Sequence, residues 1–247
     1  FSNERFFFPA VDHRVKFMLL GAQRGVPDDG FWATFRFNPR VAVRPGEMAA
    51  FLADPHNLIY LKLQTVKRLS PDALSVFEFK DQLDYSIAEK IYGSHPLLGD
   101  SLPGSWNVKF TREFDKTNDR DIFNYGGIGI PVLQGANLGF YGEVLEEPTI
   151  WIDEGVGRKR LIATIAKTTG ADDLAGALLD YECYRFGFRR IASATNMRTL
   201  YVSWLPKRYF AMYTLTTTIQ HYFDGEKFVE YMTQPQQMFL YACMASF

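Results

Sequence analysis

The chain is poor in cysteine, in long apolar runs and in net charge, and each shortage excludes a class of protein. Cys183 and Cys243 are the two cysteines among 247 residues, too few for a disulfide framework or a structural zinc site. No stretch approaches the roughly 20 apolar residues that span a bilayer, and no signal peptide is recognisable. We therefore expect a cytoplasmic protein that does not act at a membrane.

The chain also lacks the positive excess that a small autonomous nucleic-acid binder usually carries. Its 27 basic and 28 acidic residues give a net charge of −1, so any contact with nucleic acid must depend on where the charge lies. Hydrophobic residues make up 47% of the chain and aromatic residues 16%. This composition predicts a folded core and favours β-structure.

The N-terminal part predicts a hairpin followed by helices. Alternating apolar residues at 15–20 and 31–37 flank a turn-rich segment at 25–30, which is typical of a β-hairpin. Residues 46–53, between two prolines, predict a short helix.

The next segment predicts a helical connector over residues 45–100. Ser70-Pro71-Asp72 has the composition of a helix start. Residues 81–92 predict the clearest helix, because Leu83, Ile87 and Ile91 recur every four positions and Gly93 supplies a stop.

The C-terminal part consists of short strand-like segments and turns. Residues 171–180 predict a helix, and the apolar end of the chain at 239–247 also resembles one. The predicted strands are 106–110, 130–133, 149–152, 184–190, 200–205 and stretches of 209–223. Helices early and strands late indicate an α+β fold.

One strand carries an unusual concentration of positive charge. Residues 184–190 alternate, with aromatic residues on one face and Arg185 and Arg189, ~13 Å apart, on the other. Residues 181–210 contain six basic residues and one acidic residue, Glu182. Guanidinium groups suit phosphates and guanine edges, and asparagine suits adenine edges. The alternative is a solvated strand face with a polar hairpin loop.

The same segment carries a resemblance to a known family. The run Tyr184-Arg185-x-x-Phe188-Arg189-x-Ile191-Ala192-x-x-Thr195-Asn196-x-Arg198-Thr199 resembles a motif in the target recognition domain of large adenine-specific DNA methyltransferases. These enzymes are type IIG and type I single-polypeptide restriction–modification enzymes and related phage-defence methyltransferases. Further stretches resemble the family in the same order, at residues 8–17, 69–72, 84–98, 106–123 and 131–135.

The resemblance implies a function and a domain layout. Residues 1–44 would be closing strands of the methyltransferase lobe, 45–100 a helical connector, and 101–247 a mostly β, C-terminally truncated target recognition domain. The domain would read double-stranded DNA beside a catalytic domain of the same chain. That catalytic domain would use S-adenosylmethionine to methylate an adenine flipped out of the duplex. The family's catalytic Asn/Asp-Pro-Pro-aromatic motif is absent from this sequence.

The expected DNA contacts form two groups. Arginines and a lysine would hold phosphates, and neighbouring polar residues would hold phosphates or bases. The first group is Arg185, Arg189, Arg190, Ser193, Asn196, Arg198, Thr199 and Lys207; the second is Arg112, Thr117 and Asn118. The family's more basic stretch after the proline–glycine turn is replaced here by Gly135-Ala136-Asn137-Leu138, so no DNA contact is assigned there.

Other sites are less favoured by the residues. Asp72 with Glu78-Phe79-Lys80 is better explained by a helix start than by a metal-dependent nuclease. Gly126-Gly127-Ile128-Gly129 lacks the context of a phosphate-binding loop and indicates a turn. The four histidines are scattered, and the acidic residues Glu143, Glu146, Glu147, Asp153 and Glu154 indicate a solvated face.

Two alternatives from other classes stay open. One is a protein-interaction module of a phage-defence complex, whose interface would be an aromatic surface. The other is a hydrolase that acts alone through a site without a recognisable motif.

Overall fold

The computed structural model describes residues 1–25, 28–103, 106–139, 146–171, 174, 176–192 and 200–246. The chain forms two compact units, Phe1–Ser105 and Trp106–Phe247. The described residues form five α-helices and eleven β-strands, so the α+β class is confirmed. None of these helices combines the length and apolar character needed to cross a bilayer.

The first unit is built on one antiparallel strand pair and three helices. Its elements are β1 (Gly30–Ala33), α1 (Met48–Ala53), β2 (Ile59–Lys62), α2 (Leu63–Leu69) and α3 (Gln82–Ser94). Strand β1 pairs antiparallel with β2. The strand predicted at 31–37 is confirmed in part, but residues 15–20 are not its partner. Met18 and Leu20 are 76% and 79% exposed, whereas Ile59 and Leu61 of β2 are buried in the core of the unit.

Two of the predicted helices in this unit are confirmed. The short helix before Pro55 is α1, and residues 81–92 correspond to α3. The side chain of Asp81 caps α3 by accepting a hydrogen bond from the backbone N–H of Asp84 at 2.9 Å. Gly93 does not stop the helix, which continues to Ser94.

The apolar stripe of α3 does not face the core. Leu83, Ile87 and Ile91 are 68%, 49% and 52% exposed. Tyr85 is the buried residue of the helix, and its hydroxyl accepts a hydrogen bond from the backbone N–H of Lys62 at 3.0 Å. The four-residue repeat therefore identified the helix correctly but not its buried side.

The predicted helix start at Ser70-Pro71-Asp72 is wrong. Helix α2 ends at Leu69, and the N–H of Ser70 closes its last turn on the carbonyl of Val66 at 3.0 Å. Pro71 lacks an N–H group, so it cannot continue that hydrogen-bonding pattern. The same residues therefore lie just after a helix instead of opening one.

The second unit is mostly sheet. Its elements are β3 (Phe110–Thr111), β4 (Ile130–Leu133), β5 (Trp151–Ile152), α4 (Glu154–Thr169), β6 (Arg185–Arg189), β7 (Val202–Leu205), β8 (Phe210–Ala211), β9 (Leu215–Thr218), β10 (His221–Phe223), β11 (Phe228–Glu230) and α5 (Gln234–Ala245). One antiparallel sheet has the order β3-β9-β6-β7, and a second sheet has the order β5-β4-β8. Strands β10 and β11 form a separate hairpin.

Helix α4 was missed in the sequence, and the helix predicted at 171–180 is not formed by the described residues of that range. The side chain of Asp153 caps α4 by accepting from the N–H of Val156 at 3.0 Å. Gly170 ends the helix with a φ of 73°, a left-handed conformation that favours glycine. The acidic stretch thus supplies a helix cap as well as exposed side chains at Glu146 and Glu147; Glu143 lies outside the described residues.

Strand β6 is covered on both faces. Phe186 packs with Val202 and with Leu240 of α5 in one cluster. Leu205 and Leu215, from the strands on either side of β6, belong to a second cluster. A central strand covered on both faces leaves little room for side chains that face solvent.

Candidate nucleic-acid interface

The strand that carries the predicted arginines is an interior strand. Arg185 pairs with Leu205 of β7, and Gly187 pairs with both Ser203 of β7 and Thr217 of β9. A Cβ atom on Gly187 would lie 2.8 Å from the carbonyl oxygen of Thr216. Glycine at this position therefore lets the neighbouring backbone approach closely.

Arg185 lies inside the protein, and its assignment as a phosphate contact is corrected. Its Nη2 is 2.9 Å from Oε1 of Glu113, and the two side chains are 0% and 4% exposed. The same guanidinium donates to the carbonyls of Tyr209 at 3.0 Å and Asp180 at 3.2 Å. Because every one of these partners belongs to the protein, Arg185 stabilises the fold and cannot reach a DNA backbone.

The partner of Arg185, the side chain of Glu113, is buried. Oε2 of Glu113 accepts a hydrogen bond from the backbone N–H of Ala211 at 2.6 Å. Burial raises the pKa of Glu113 above its ordinary value, and the attraction of Arg185 together with that hydrogen bond offsets part of the effect. The charge of Glu113 therefore depends on the guanidinium beside it.

Arg189 is half-buried and is partly engaged by the protein. Its guanidinium lies 4.3 Å from the ring centroid of Tyr201, a cation–π contact. It also donates to the carbonyl of Leu138, which follows a short turn whose Gly135 N–H bonds to the hydroxyl of Thr214 at 2.9 Å. Arg189 thus fastens the turn after β4 to the central sheet.

Arg190 and Lys207 are the exposed members of the first group that the structure describes. Neither forms an ion pair with a described residue. The N–H of Arg190 bonds to the carbonyl of Thr214 at 3.0 Å, and Nζ of Lys207 lies 5.3 Å from the ring centroid of Tyr184. Their side chains are therefore available to a ligand.

These two cations do not form a single cluster. Arg190 follows the end of β6, whereas Lys207 lies beyond Leu205, which pairs with the first residue of β6. The length of the strand from Arg185 to Arg190 alone is roughly 16 Å, so the two cations are at least that far apart along the sheet. Nearby Arg208 is engaged by Glu154 at 2.7 Å, so the described part of the basic segment presents one free cation at each end.

Four more of the predicted contacts fall in the segment between β6 and β7. Ser193, Asn196, Arg198 and Thr199 lie outside the described residues. Their assignment as phosphate or base contacts stays a prediction.

The second predicted group lies on an exposed turn and just before it. Arg112, Thr117 and Asn118 are all exposed. The carboxylate of Asp115 accepts hydrogen bonds from the backbone N–H groups of Thr117 at 2.9 Å and Asn118 at 3.0 Å. These hydrogen bonds hold the pKa of Asp115 below its ordinary value, and the bond from Asn118 has the largest effect. The turn therefore fixes the backbone and leaves the side chains of Thr117 and Asn118 exposed.

Helix α4 secures the end of this turn. Arg160 lies 3.4 Å from a carboxylate oxygen of Asp119 and 3.1 Å from one of Asp121. Arg160 was not singled out in the sequence, because its helix was not recognised. The exposed cations Lys116 and Arg120 border the same turn and were also missed, although their spacing from Arg112 is regular.

Comparison with known protein families, characterised proteins and solved structures finds no match for this chain.

The arrangement offers binding chemistry at its surface. Among the described residues, no group of three or more His, Cys, Asp or Glu side chains could hold a metal ion. What these residues present is separate exposed cations, together with the exposed hydroxyl of Thr117 and amide of Asn118 on one turn. Such groups suit the non-bridging phosphate oxygens of a nucleic acid, which are spaced along its backbone.

Proposed function

We propose that this chain recognises duplex DNA as the DNA-reading part of an adenine-specific, S-adenosylmethionine-dependent methyltransferase of restriction–modification or phage defence. The observation that carries the proposal is the exposed guanidinium of Arg190 just after β6, which forms no ion pair with any residue that the structure describes. It immediately precedes the connection to β7 that contains most of the family-like run.

The structure changes which of the predicted residues are proposed to touch DNA. Arg190 and Lys207 are proposed to hold phosphates. Arg185 is a structural residue in this proposal, and Arg189 positions the turn beside it. Arg112, Thr117 and Asn118 are proposed as a second contact, because an exposed cation next to exposed polar side chains suits a phosphate backbone.

The proposal is tested by titrating a fluorescently labelled duplex with the full chain at several salt concentrations. Each lost phosphate contact lowers the slope of log K against log salt by about one. We expect this decrease for Arg190→Gln and for Lys207→Gln. Lys159→Gln, which removes an exposed cation of α4, is the matched control and should leave the slope unchanged.

The same titration separates this proposal from the interaction module considered above. A protein-interaction module would bind its partner with little dependence on salt and no dependence on DNA. Equal slopes for the unmodified chain, Arg190→Gln and Lys207→Gln would contradict DNA recognition by these residues.

A further inference from the structure

The second unit contains a cavity of about 350 Å³ between α4, β3 and the β10–β11 hairpin. This volume lies at the lower end of the range for small-molecule sites. One wall is apolar and is formed by Leu161, Ile165, Ile219, Phe223 and Phe228. Such a wall suits the face of a planar ring.

A carboxylate and an imidazole supply the sheltered polar end of this cavity. The side chains of Asp180 and His221 both line it and are 14% and 16% exposed. Oδ1 of Asp180 accepts hydrogen bonds from the backbone N–H groups of Gln220 at 2.9 Å and His221 at 3.2 Å. Its Oδ2 accepts none from the described residues, so that oxygen is left for a donor in the cavity.

The imidazole of His221 adds a second polar group. Its Nδ1 is buried without a hydrogen bond in the described part of the chain, and lies 3.8 Å from Oδ1 of Asp180. Because Nδ1 is shielded, Nε2 is the polar ring atom that His221 can present to a ligand. The pair therefore offers an acceptor beside a group that can donate or accept.

The exposed side of the cavity is positively charged. Lys109 and Arg112 both line it and both are exposed. Nζ of Lys109 lies 5.0 Å from the ring centroids of Tyr222 and Tyr231, which keeps the ammonium group at this wall. A ligand in the cavity would therefore have a hydrogen-bond acceptor, Asp180, at the sheltered end and the cations Lys109 and Arg112 at the exposed side.

We propose that this cavity binds a nucleotide whose base carries an exocyclic amine. The base would lie along the apolar wall with its amine donating to Asp180, and the phosphate would lie near Lys109 and Arg112. Uracil and thymine have no exocyclic amine and carry two carbonyl oxygens, and a carboxylate repels a carbonyl oxygen. The nucleotide is either free or part of a single strand.

The first test is calorimetric titration of the full chain with adenosine monophosphate and with uridine monophosphate. We expect the adenine nucleotide to bind at least about tenfold more tightly, since a lost hydrogen bond to a charged group has an effect of that size. A short single-stranded oligodeoxyadenylate distinguishes a free nucleotide from one in a strand. Absence of binding by both adenine ligands, or equal affinity for the uridine nucleotide, overturns the proposal.

Two variants test the location. Asp180→Asn keeps an oxygen for the N–H groups of Gln220 and His221 and should weaken binding about tenfold. Thr168→Tyr, at an exposed residue that lines the cavity, should block it. Ala163→Tyr, at an exposed position of α4 that does not line the cavity, is the control for folding and should bind normally. Unchanged affinity in Thr168→Tyr would place any nucleotide elsewhere and refute the site.

The inference does not depend on the proposed recognition of duplex DNA. Arg190 is not among the residues that line the cavity, so Arg190→Gln should leave the affinity for adenosine monophosphate unchanged. Loss of duplex binding and loss of nucleotide binding can therefore be observed separately.

Discussion

Arg185 and Glu113 form an ion pair of 2.9 Å whose members are 72 positions apart in the chain and almost fully removed from solvent. Removing one partner of a buried pair leaves an uncompensated charge. We therefore expect Arg185→Met to lower the free energy of unfolding by roughly 3–5 kcal/mol. Urea denaturation followed by fluorescence measures this loss. Arg190→Met, at an exposed arginine, should change stability by about 0.5 kcal/mol or less.

The stability of the Arg185→Met chain should also depend more strongly on pH than that of the unmodified chain. Without the guanidinium, burial raises the pKa of Glu113 further above its unfolded value, so the folded chain binds the proton more strongly than the unfolded chain. Stability is then fully present below the unfolded value of 4.5 and is lost as pH rises through the folded value. The double variant Arg185→Met/Glu113→Gln should lack this dependence. A pH-independent loss in the single variant would contradict an uncompensated Glu113 charge.

Arg189 and Arg190 are adjacent in sequence but should respond differently to substitution. Arg189→Gln removes the contact with Tyr201 and the hydrogen bond to Leu138. Stability should therefore fall by about 1 kcal/mol. Arg190→Gln should leave the melting temperature unchanged and reduce the salt dependence of duplex binding. Thermal melting and the salt titration, done on both variants, provide the comparison, and the reverse pattern would refute these roles.

The turn that holds Thr117 and Asn118 should loosen in acid. A lowered carboxyl pKa means that the folded chain binds the proton of Asp115 more weakly than the unfolded chain. The stabilising contribution is present above the ordinary value of 3.8 and is lost as pH falls through the lower folded value. The protection of the Thr117 and Asn118 amides against exchange, measured relative to an unfolded chain at the same pH, should fall over that pH range. Asp115→Asn, which does not titrate, should remove this acid step.

Gly93 offers a direct test of where α3 ends. It lies inside the helix, its φ is not among the positive values of the described chain, and a Cβ atom there would meet nothing within 4 Å. Gly93→Ala should therefore stabilise the chain by about 0.5–1 kcal/mol. Gly225→Ala, at a residue with a φ of 112°, should destabilise it instead. A loss of stability in Gly93→Ala would mean that Gly93 ends the helix.

Local signals predicted the elements that depend on local chemistry. The prolines around α1, the four-residue repeat of α3 and the alternation of β6 are each contained within a few residues. Helix α4 had comparable signals at Asp153 and Gly170. The acidic residues before it were interpreted only as a solvated face, so the helix was missed.

The environment of a residue was less predictable than its secondary structure. The alternation of residues 184–190 placed Arg185 on a polar face, and the sequence did not indicate that Glu113 would cover that face. In the same way, the apolar repeat that predicted α3 does not mark its buried side, since Leu83, Ile87 and Ile91 are exposed and Tyr85 is the residue that packs inward. Fewer of the predicted arginines are exposed than the sequence indicated, because contacts between distant segments decide which of them are buried.

The pairing of β3 with β9 joins residues more than a hundred positions apart, since Phe110 lies opposite Thr218. A sheet closed by such distant partners forms slowly, because the loss of chain entropy precedes the gain from contacts. During synthesis, Phe110 and Glu113 are made well before Thr218 and Arg185, with which they pair in the folded chain. The chain should therefore be most vulnerable to proteases and to aggregation during the part of synthesis before those partners have been made.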